Sequence, residues 1–282
     1  MPTTADKRKT FRKLHEAGCF VIPNPWNVGT ARYFQHLGFK ALATTSSGFA
    51  HAQGFADGAV PRAAMLAHLR EIAAAADVPV NADFEGGYAD APEAVAESVR
   101  LCIETGVAGL SIEDSTPDDK NPLYDFDLAL ARVRAARAAI DRAGGDVVFT
   151  ARTEGFVRGR PDLAETIRRL KAFAEAGADC LYSPGIKTRE EIVATVNAVA
   201  PKPVNLLMSS STGFSVSDIA EMGVRRISVG GTLARVAWNA VLRSAREIAE
   251  RGRFDSFGGV IGNAELNAFF ADDAKKRCFS ET

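Results

Sequence analysis

Short apolar runs alternate along this chain with longer stretches of mixed polarity. The runs are CFVIP (19–23), ALATT (41–45), PVNAD (79–83), GLSIED (109–114), VVFTAR (147–152), CLYSP (180–184), PVNLLM (203–208) and RISVG (226–230). The stretches between them include RAAMLAHLREIAAAA (62–76), APEAVAESVRLCIETG (91–106) and DLAETIRRLKAFAEAG (162–177). In the last of these Leu163, Ile167, Leu170, Phe173 and Ala174 recur at helical spacing. Gly18, Gly38, Gly106, Gly177 and Gly223 each stand just before an apolar run, where a helix must stop. Short strands alternating with helices predict a parallel sheet with right-handed crossovers. Eight such units in 282 residues predict an α/β fold closed as a (β/α)8 TIM barrel. An open doubly wound sheet would carry a Gly-rich fingerprint after its first strand, and PNPWNVG does not match one. A helix precedes the barrel in MPTTADKRKTFRKLHEAG. With no linker or break in composition, residues 1–282 are expected to form one domain, in which residues 232–282 make a last helix and a helical extension.

The apolar run 79–83 continues into acids and glycines, as VNADFEGGYAD (80–90). These are poor strand formers, so a buried strand that ends on them has some other use for them. In a barrel the active site lies at the C-terminal ends of the strands. Gathered there are Trp26 after strand 1, Ser46, Ser47 and Gly48 after strand 2 with Asp57 in its loop, and Asp83 and Glu85 after strand 3. Glu113 and Asp114, Arg152 and Glu154, Tyr182, and Asn205 follow from strands 4 to 7. Alternation along an extended chain places Asp83 and Glu85 on one face, with Glu113 on the neighbouring strand. Like charges this close need a cation. An all-oxygen set without Cys or His selects a hard ion, Mg2+ or Mn2+.

Composition and charge narrow the function classes. The net charge is −1, with no basic tail or stripe, which argues against nucleic acid and anionic membrane as partners. No run approaches the ~18 apolar residues of a membrane span, and the N-terminus has no apolar signal core, so the expected location is cytoplasmic. The four cysteines, Cys19, Cys102, Cys180 and Cys278, form no CxxC pair, so neither a zinc site nor a disulfide framework is indicated. The C-terminal segment DSFGGVIGNAELNAFFADDAKK is too apolar for a free tail and is expected to pack on a neighbouring subunit.

The pieces NPWNVGTARYFQHLGFKALATTSSGFAHAQGFADG, VNADFEGGY, GLSIEDS and FTARTE together resemble the isocitrate lyase and phosphoenolpyruvate mutase superfamily, from about Phe11 to Phe270. The resemblance implies a Mg2+-dependent barrel that makes or breaks C–C or P–C bonds beside a 2-oxo or 2-hydroxy acid. It also implies dimers that exchange their last barrel helix and pair into tetramers. It assigns Asp83 as the direct metal ligand, with Asp57, Glu85 and Glu113 holding the ion largely through its waters. It assigns Ser47 and Gly48, beside Ser46, to the turn that receives the substrate carboxylate. Arg152 takes the substrate's anionic end, and Trp26 lines the pocket. Tyr182 and Asn205 are further candidates for lining it.

The loop after strand 4, DSTPDDKNPLYDFD (114–127), departs from the family's lyases. Isocitrate-type lyases carry a cysteine there that protonates the departing carbanion, and this loop has neither Cys nor His. Phosphonate-processing members place Lys, Asn and Ser there, and this chain has Lys120 and Asn121 followed by Pro122. The loop is expected to close as a lid, bringing Lys120 or Asn121 to the site. Decarboxylation needs no acid for its leaving group, because CO2 departs neutral. The expected activity is therefore metal-dependent decarboxylation, or a related lyase reaction, of an oxaloacetate-like 2-oxo or 2-hydroxy dicarboxylate. Two alternatives stand: C–P chemistry as a phosphonopyruvate mutase or hydrolase, and an oxo-acid-binding protein with little catalysis.

Overall fold

A computed structural model describes residues 2–278, without the side chain of Cys278. The chain forms two compact units, one of residues 2–231 and one beginning at Thr232. The first carries eight strands: β1 Phe20–Ile22, β2 Leu42–Ala43, β3 Val80–Asp83, β4 Gly109–Glu113, β5 Val148–Arg152, β6 Cys180–Tyr182, β7 Val204–Leu207 and β8 Arg226–Ser228. Each lies within one of the eight apolar runs. All seven ladders are parallel, in the order β1-β8-β7-β6-β5-β4-β3-β2. The barrel is nearly closed. At the remaining seam the Ala43 N–H donates to Pro23 O at 3.1 Å. Asn24 secures it, donating to Thr44 O at 2.8 Å and accepting from the Val229 N–H at 3.0 Å.

Nine helices belong to this unit: α1 Thr4–Leu14, α2 Val28–His36, α3 Ser46–Ala52, α4 Arg62–Ala75, α5 Pro92–Ile103, α6 Phe126–Arg142, α7 Leu163–Glu175, α8 Arg189–Val199 and α9 Val216–Glu221. Local chemistry starts several of them. Thr188 and Glu191 form a capping box on α8, and Ser215 with Asp218 one on α9. The Asp162 carboxylate caps α7. Outward strand residues such as Leu110, Phe149 and Leu181 are fully buried with Val95, Val99, Leu170 and Phe173 of the helices. α1 covers the N-terminal end of the barrel, where Arg8 and Arg12 donate to the carbonyls of Ile103, Val107, Gly145 and Asp146. Its Phe11 ring reaches into the barrel floor. A Cβ on Gly109 would lie 2.6 Å from that ring and 2.8 Å from Asn81 Oδ1, so only glycine fits there.

The second unit contains α10 Thr232–Arg251, a 3-10 turn Asp255–Phe257 and α11 Asn263–Cys278. Val236, Trp238, Val241, Leu242, Phe254 and Val260 of this unit are exposed. Among the described residues no helix is long and apolar enough to cross a membrane.

Candidate active site

Strand alternation sends one set of side chains outward to the helices and another into the barrel. The inward set is polar at two levels. Asn81, Ser111, Asn205 and Arg226 stand below Asp83, Glu113, Arg152 and Ser228. Barrel interiors are more commonly filled with branched apolar residues. Here the polar set lines a pocket of about 360 Å³ at the C-terminal strand ends, together with Ser46, Ser47, Asp57, Glu154, Tyr182 and Gly231.

Arg152 is at its centre. Its Nη1 donates to Asp83 Oδ1 at 2.7 Å and forms an ion pair with Glu113 Oε1 at 3.0 Å, and its Nε donates to Glu154 Oε1 at 2.9 Å. Its guanidinium lies 4.7 Å from the centroid of the Tyr182 ring. The second oxygen of Asp83 accepts from both the N–H and the hydroxyl of Ser46, at 2.9 and 3.0 Å. The Asp83 N–H donates to Thr44 Oγ1 at 2.9 Å. Ser115 donates to Glu113 Oε2 at 2.9 Å.

Burial and neighbouring carboxylates hold four acids of the cluster above their ordinary range. Burial, then the charge of Asp83, pushes the Asp57 carboxyl up. Burial pushes Glu85 up to about 7 against the Tyr88 hydrogen bond, with Asp83, Glu113 and Asp57 adding to it. Burial raises Glu113, with Arg152 opposing, and takes Glu154 up to about 8. Burial works against the Arg152 charge, but Glu113, Glu154 and Asp83 outweigh it and drive its pKa up. Among the described residues no three acidic, His or Cys side chains stand close enough to chelate one ion directly. The acids that do line the pocket, Asp57, Asp83 and Glu113, offer only oxygen donors, the set a hard ion takes.

The acids of VNADFEGGYAD are placed differently from the alternation expected of a strand. β3 ends at Asp83, and Glu85 sits in the turn beyond it with φ +48°, so the two do not share a strand face. Glu85 instead lines an adjoining hollow that shares Ser46, Asp57, Glu113 and Ser115 with the pocket. Its carboxylate accepts from the Tyr88 hydroxyl at 3.0 Å. Gly87 and Tyr88 also have positive φ, and such a turn persists only where its surroundings impose it. Arg132 of α6 imposes it, donating to the carbonyls of Gly86, Ala89 and Asp90 at 2.5, 2.5 and 2.7 Å. A Cβ on Gly86 would stand 3.3 Å from that guanidinium.

Ser46, Ser47 and Gly48 were expected in a loop and instead open the short helix α3. Thr45 caps it, accepting from the Gly48 N–H at 3.2 Å. Ser46 and Ser47 line the pocket, and Gly48 is buried behind them. Tyr182 and Asn205 line the pocket as well. Trp26 is half-buried outside the set of lining residues, its N–H donating to Thr30 Oγ1 at 3.3 Å. Lys120 and Asn121 are also outside it. They are exposed in an outer depression with Asp118, Leu123 and Arg160. Their loop is closed on itself by a bridge between Ser115 and Leu123. Arg158 pins it, donating to Thr116 O at 3.1 Å and to Asp119 Oδ1 at 3.0 Å. Asp114 turns away from the pocket acids to Arg169, at 3.0 Å, and accepts from the Glu154 N–H at 2.9 Å.

Two structural arginines escaped the sequence reading. Arg132 lies in a helix where charges are usual. Arg226 opens β8 and reads as the polar flank of a strand, yet it is 2% exposed. The signal that could have found it is the alternation of Arg226 and Ser228 with Ile227, which sends both polar side chains inward.

Known proteins place this site in context. A candidate lyase/mutase from Burkholderia cenocepacia J2315 is 44% identical, covers 95% of this chain and 97% of its own, and superposes with a TM-score of 0.92. Oxaloacetate decarboxylase of Paraburkholderia xenovorans is 30% identical over 85% of this chain and 77% of its own length. A phosphonopyruvate hydrolase solved with oxalate and Mg2+ is 25% identical over 96% of this chain and 97% of its own, with a TM-score of 0.83. Residues 11–249 match the family described as phosphoenolpyruvate phosphomutase, to which this chain therefore belongs.

Proposed function

We propose that this protein is a divalent-cation-dependent lyase that decarboxylates an oxaloacetate-like 2-oxo dicarboxylate. One observation carries the proposal. The pocket combines the acids Asp57, Asp83, Glu113 and Glu154 with Arg152, Arg158 and Arg226, and among the described residues no Cys, His or Lys lines it. A retro-aldol or Claisen cleavage needs an acid placed on the fragment that departs, whereas CO2 departs neutral and the one proton required goes to C3 of the enolate that stays in the pocket. The resemblance to an oxaloacetate decarboxylase supports the same reaction.

Asp83 would hold Mg2+ or Mn2+, with Asp57, Glu85 and Glu113 reaching it through water. Once bound, the ion supplies Lewis-acid stabilisation of the negative charge that develops at the C2 oxygen. Arg152 binds the substrate's anionic group and fixes its orientation from its place between Asp83 and Glu154. Ser46 holds the Asp83 carboxylate in place with two hydrogen bonds. Ser47 lies beside the carboxylate end of the substrate. We further propose that the enzyme works as a homo-oligomer in which the α10 helices are exchanged.

The test is metal-dependent pyruvate release measured side by side from oxaloacetate and phosphonopyruvate. Faster release from oxaloacetate, abolished by Asp83→Ala, is expected. Much faster release from phosphonopyruvate would replace the decarboxylase reading with C–P chemistry. No release from either would favour a binding protein.

A further inference from the structure

A line of hydrogen bonds runs from the barrel floor to the pocket, and its donor direction can be read from one end. Arg226 is buried, has no carboxylate partner among its hydrogen bonds, and can only donate. Its Nη1 meets His15 Nε2 at 3.2 Å, so His15 carries its proton on Nδ1, 2.7 Å from Phe11 O. Its Nη2 donates to Thr150 Oγ1 at 2.9 Å. Its Nε donates to Asn205 Oδ1 at 2.8 Å, which fixes the Asn205 amide the other way round towards Ser228. Asn205 Nδ2 therefore donates to Ser228 Oγ at 3.0 Å. Having accepted, the Ser228 hydroxyl has one proton to give, and the Tyr182 phenol is the neighbour that can take it. The Tyr182 oxygen accepts, and its own proton is left for the pocket.

Four other pocket hydroxyls already have hydrogen-bond partners. Ser46 donates to Asp83, Ser111 to Ala82 O at 3.3 Å and Ser115 to Glu113, while Ser47 pairs with Thr45 at 3.2 Å. Tyr182 is 7% exposed, lines the pocket, and lies under the Arg152 guanidinium.

We propose that Tyr182 is the proton donor that quenches the enolate, and that Arg226, acting through Asn205 and Ser228, is the positioning residue that aims its proton. This rests on the reading of the enzyme as one that passes through an enolate. When the C3–C4 bond breaks, its electron pair moves into the enolate and CO2 leaves. The enolate's π pair then forms a C3–H bond with the Tyr182 proton, giving the methyl group of pyruvate. The tyrosinate left behind is faced by the Arg152 cation and regains a proton from water.

Run backwards, the same step removes a methyl proton from pyruvate, whichever bond the forward reaction breaks. The experiment is therefore exchange of pyruvate methyl protons in D2O with Mg2+-loaded enzyme, followed by NMR beside decarboxylation of oxaloacetate. Wild type should exchange. Tyr182→Phe, which keeps the ring under Arg152, should lose at least about 100-fold in exchange, with pyruvate binding and thermal stability little changed. Asn205→Asp is nearly isosteric and keeps a partner for Arg226, but it must accept from Ser228. That reverses the line and should also suppress exchange, with KM nearly constant. Exchange that depends on Tyr182 without oxaloacetate decarboxylation would sustain the donor and sink the decarboxylase. Exchange undiminished in Tyr182→Phe, exchange lost instead in Glu154→Gln alone, or a wild type that never exchanges would overturn the assignment.

Discussion

A single nitrogen of Arg152, Nη1, pairs with the carboxylates of both Asp83 and Glu113, at 2.7 and 3.0 Å. The protein thus carries its own cation at the place where the acids converge. Removing one partner of a buried pair leaves the other charge uncompensated, at a cost of about 3–5 kcal/mol. Arg152→Met should lower the melting temperature by several degrees. A bound divalent ion should then restore more stability to the variant than it adds to wild type, because the acids have lost their internal counter-charge. Thermal denaturation with and without Mg2+ measures both shifts, and an equal or smaller metal shift in the variant would count against this account of the cluster.

Gly231 faces Ser47 across the barrel seam. A Cβ there would lie 2.5 Å from Ser47 Oγ and 3.5 Å from Thr45 Oγ1. Gly231→Ala should displace the Ser47 hydroxyl by rotation, breaking its contact with Thr45 and leaving the backbone in place. The expected result is a KM for the oxo acid raised about 10-fold, the effect of losing roughly 1.4 kcal/mol of binding, with a melting temperature close to wild type. Steady-state kinetics beside a melting curve decide it. A large loss of stability with an unchanged KM would mean that the seam, and not the pocket, is what this glycine serves.

The eight strands were legible because each is a short apolar run, five of them preceded by a helix-stopping glycine, and the polar ends of the runs mark the pocket. Asp83, Glu113 and Arg152 stand at those ends, with Arg152 in direct contact with both acids. What could not be read was anything decided by a partner far along the chain. Glu85 leaves the strand face because Arg132, 47 positions on, clamps the turn that contains it. Lys120 and Asn121 stay outside the pocket because Arg158 pins their loop, and the run of residues 114–127 contains no sign of that. Gly48 looked like a carboxylate-receiving turn, but its N–H is consumed by the Thr45 cap.

Acid should destabilise the fold through His68, which is buried, and His15, which is half-buried. His68 stacks on Phe49 with centroids 3.8 Å apart, and its Nε2 has no hydrogen-bond partner. Burial lowers its pKa from 6.5 to about 4. Burial and then the Arg226 charge lower His15 to about 3. In both cases the unfolded chain binds the proton more tightly. Their contribution is therefore complete above pH 6.5 and is lost as pH falls towards the folded values, by at most about 1.4 kcal/mol per pH unit for each. Urea denaturation at pH 7 and pH 5 should show a smaller drop for His68→Leu than for wild type, whatever the variant's stability at pH 7. Equal drops would show that His68 does not contribute to the acid sensitivity.

Trp238, Val241 and Leu242 of α10 lie three and four residues apart, so they share one helix face, and all three are exposed. Val236 adds to the apolar surface of that helix, as Phe254 and Val260 do beyond it. Scattered apolar side chains are ordinary on a surface, but several together on one helix mark a surface that something covers. A second copy of the chain is the occupant expected here, since the family resemblance implies exchange of the last barrel helix. Wild type should then elute as a species well above its 30.1 kDa chain mass. Val241→Glu places a charge in the middle of that face and should shift the protein towards smaller species at micromolar concentration. Light scattering after gel filtration reads the mass directly. A monomeric wild type, or a Val241→Glu variant with the same mass as wild type, would remove α10 from the assembly.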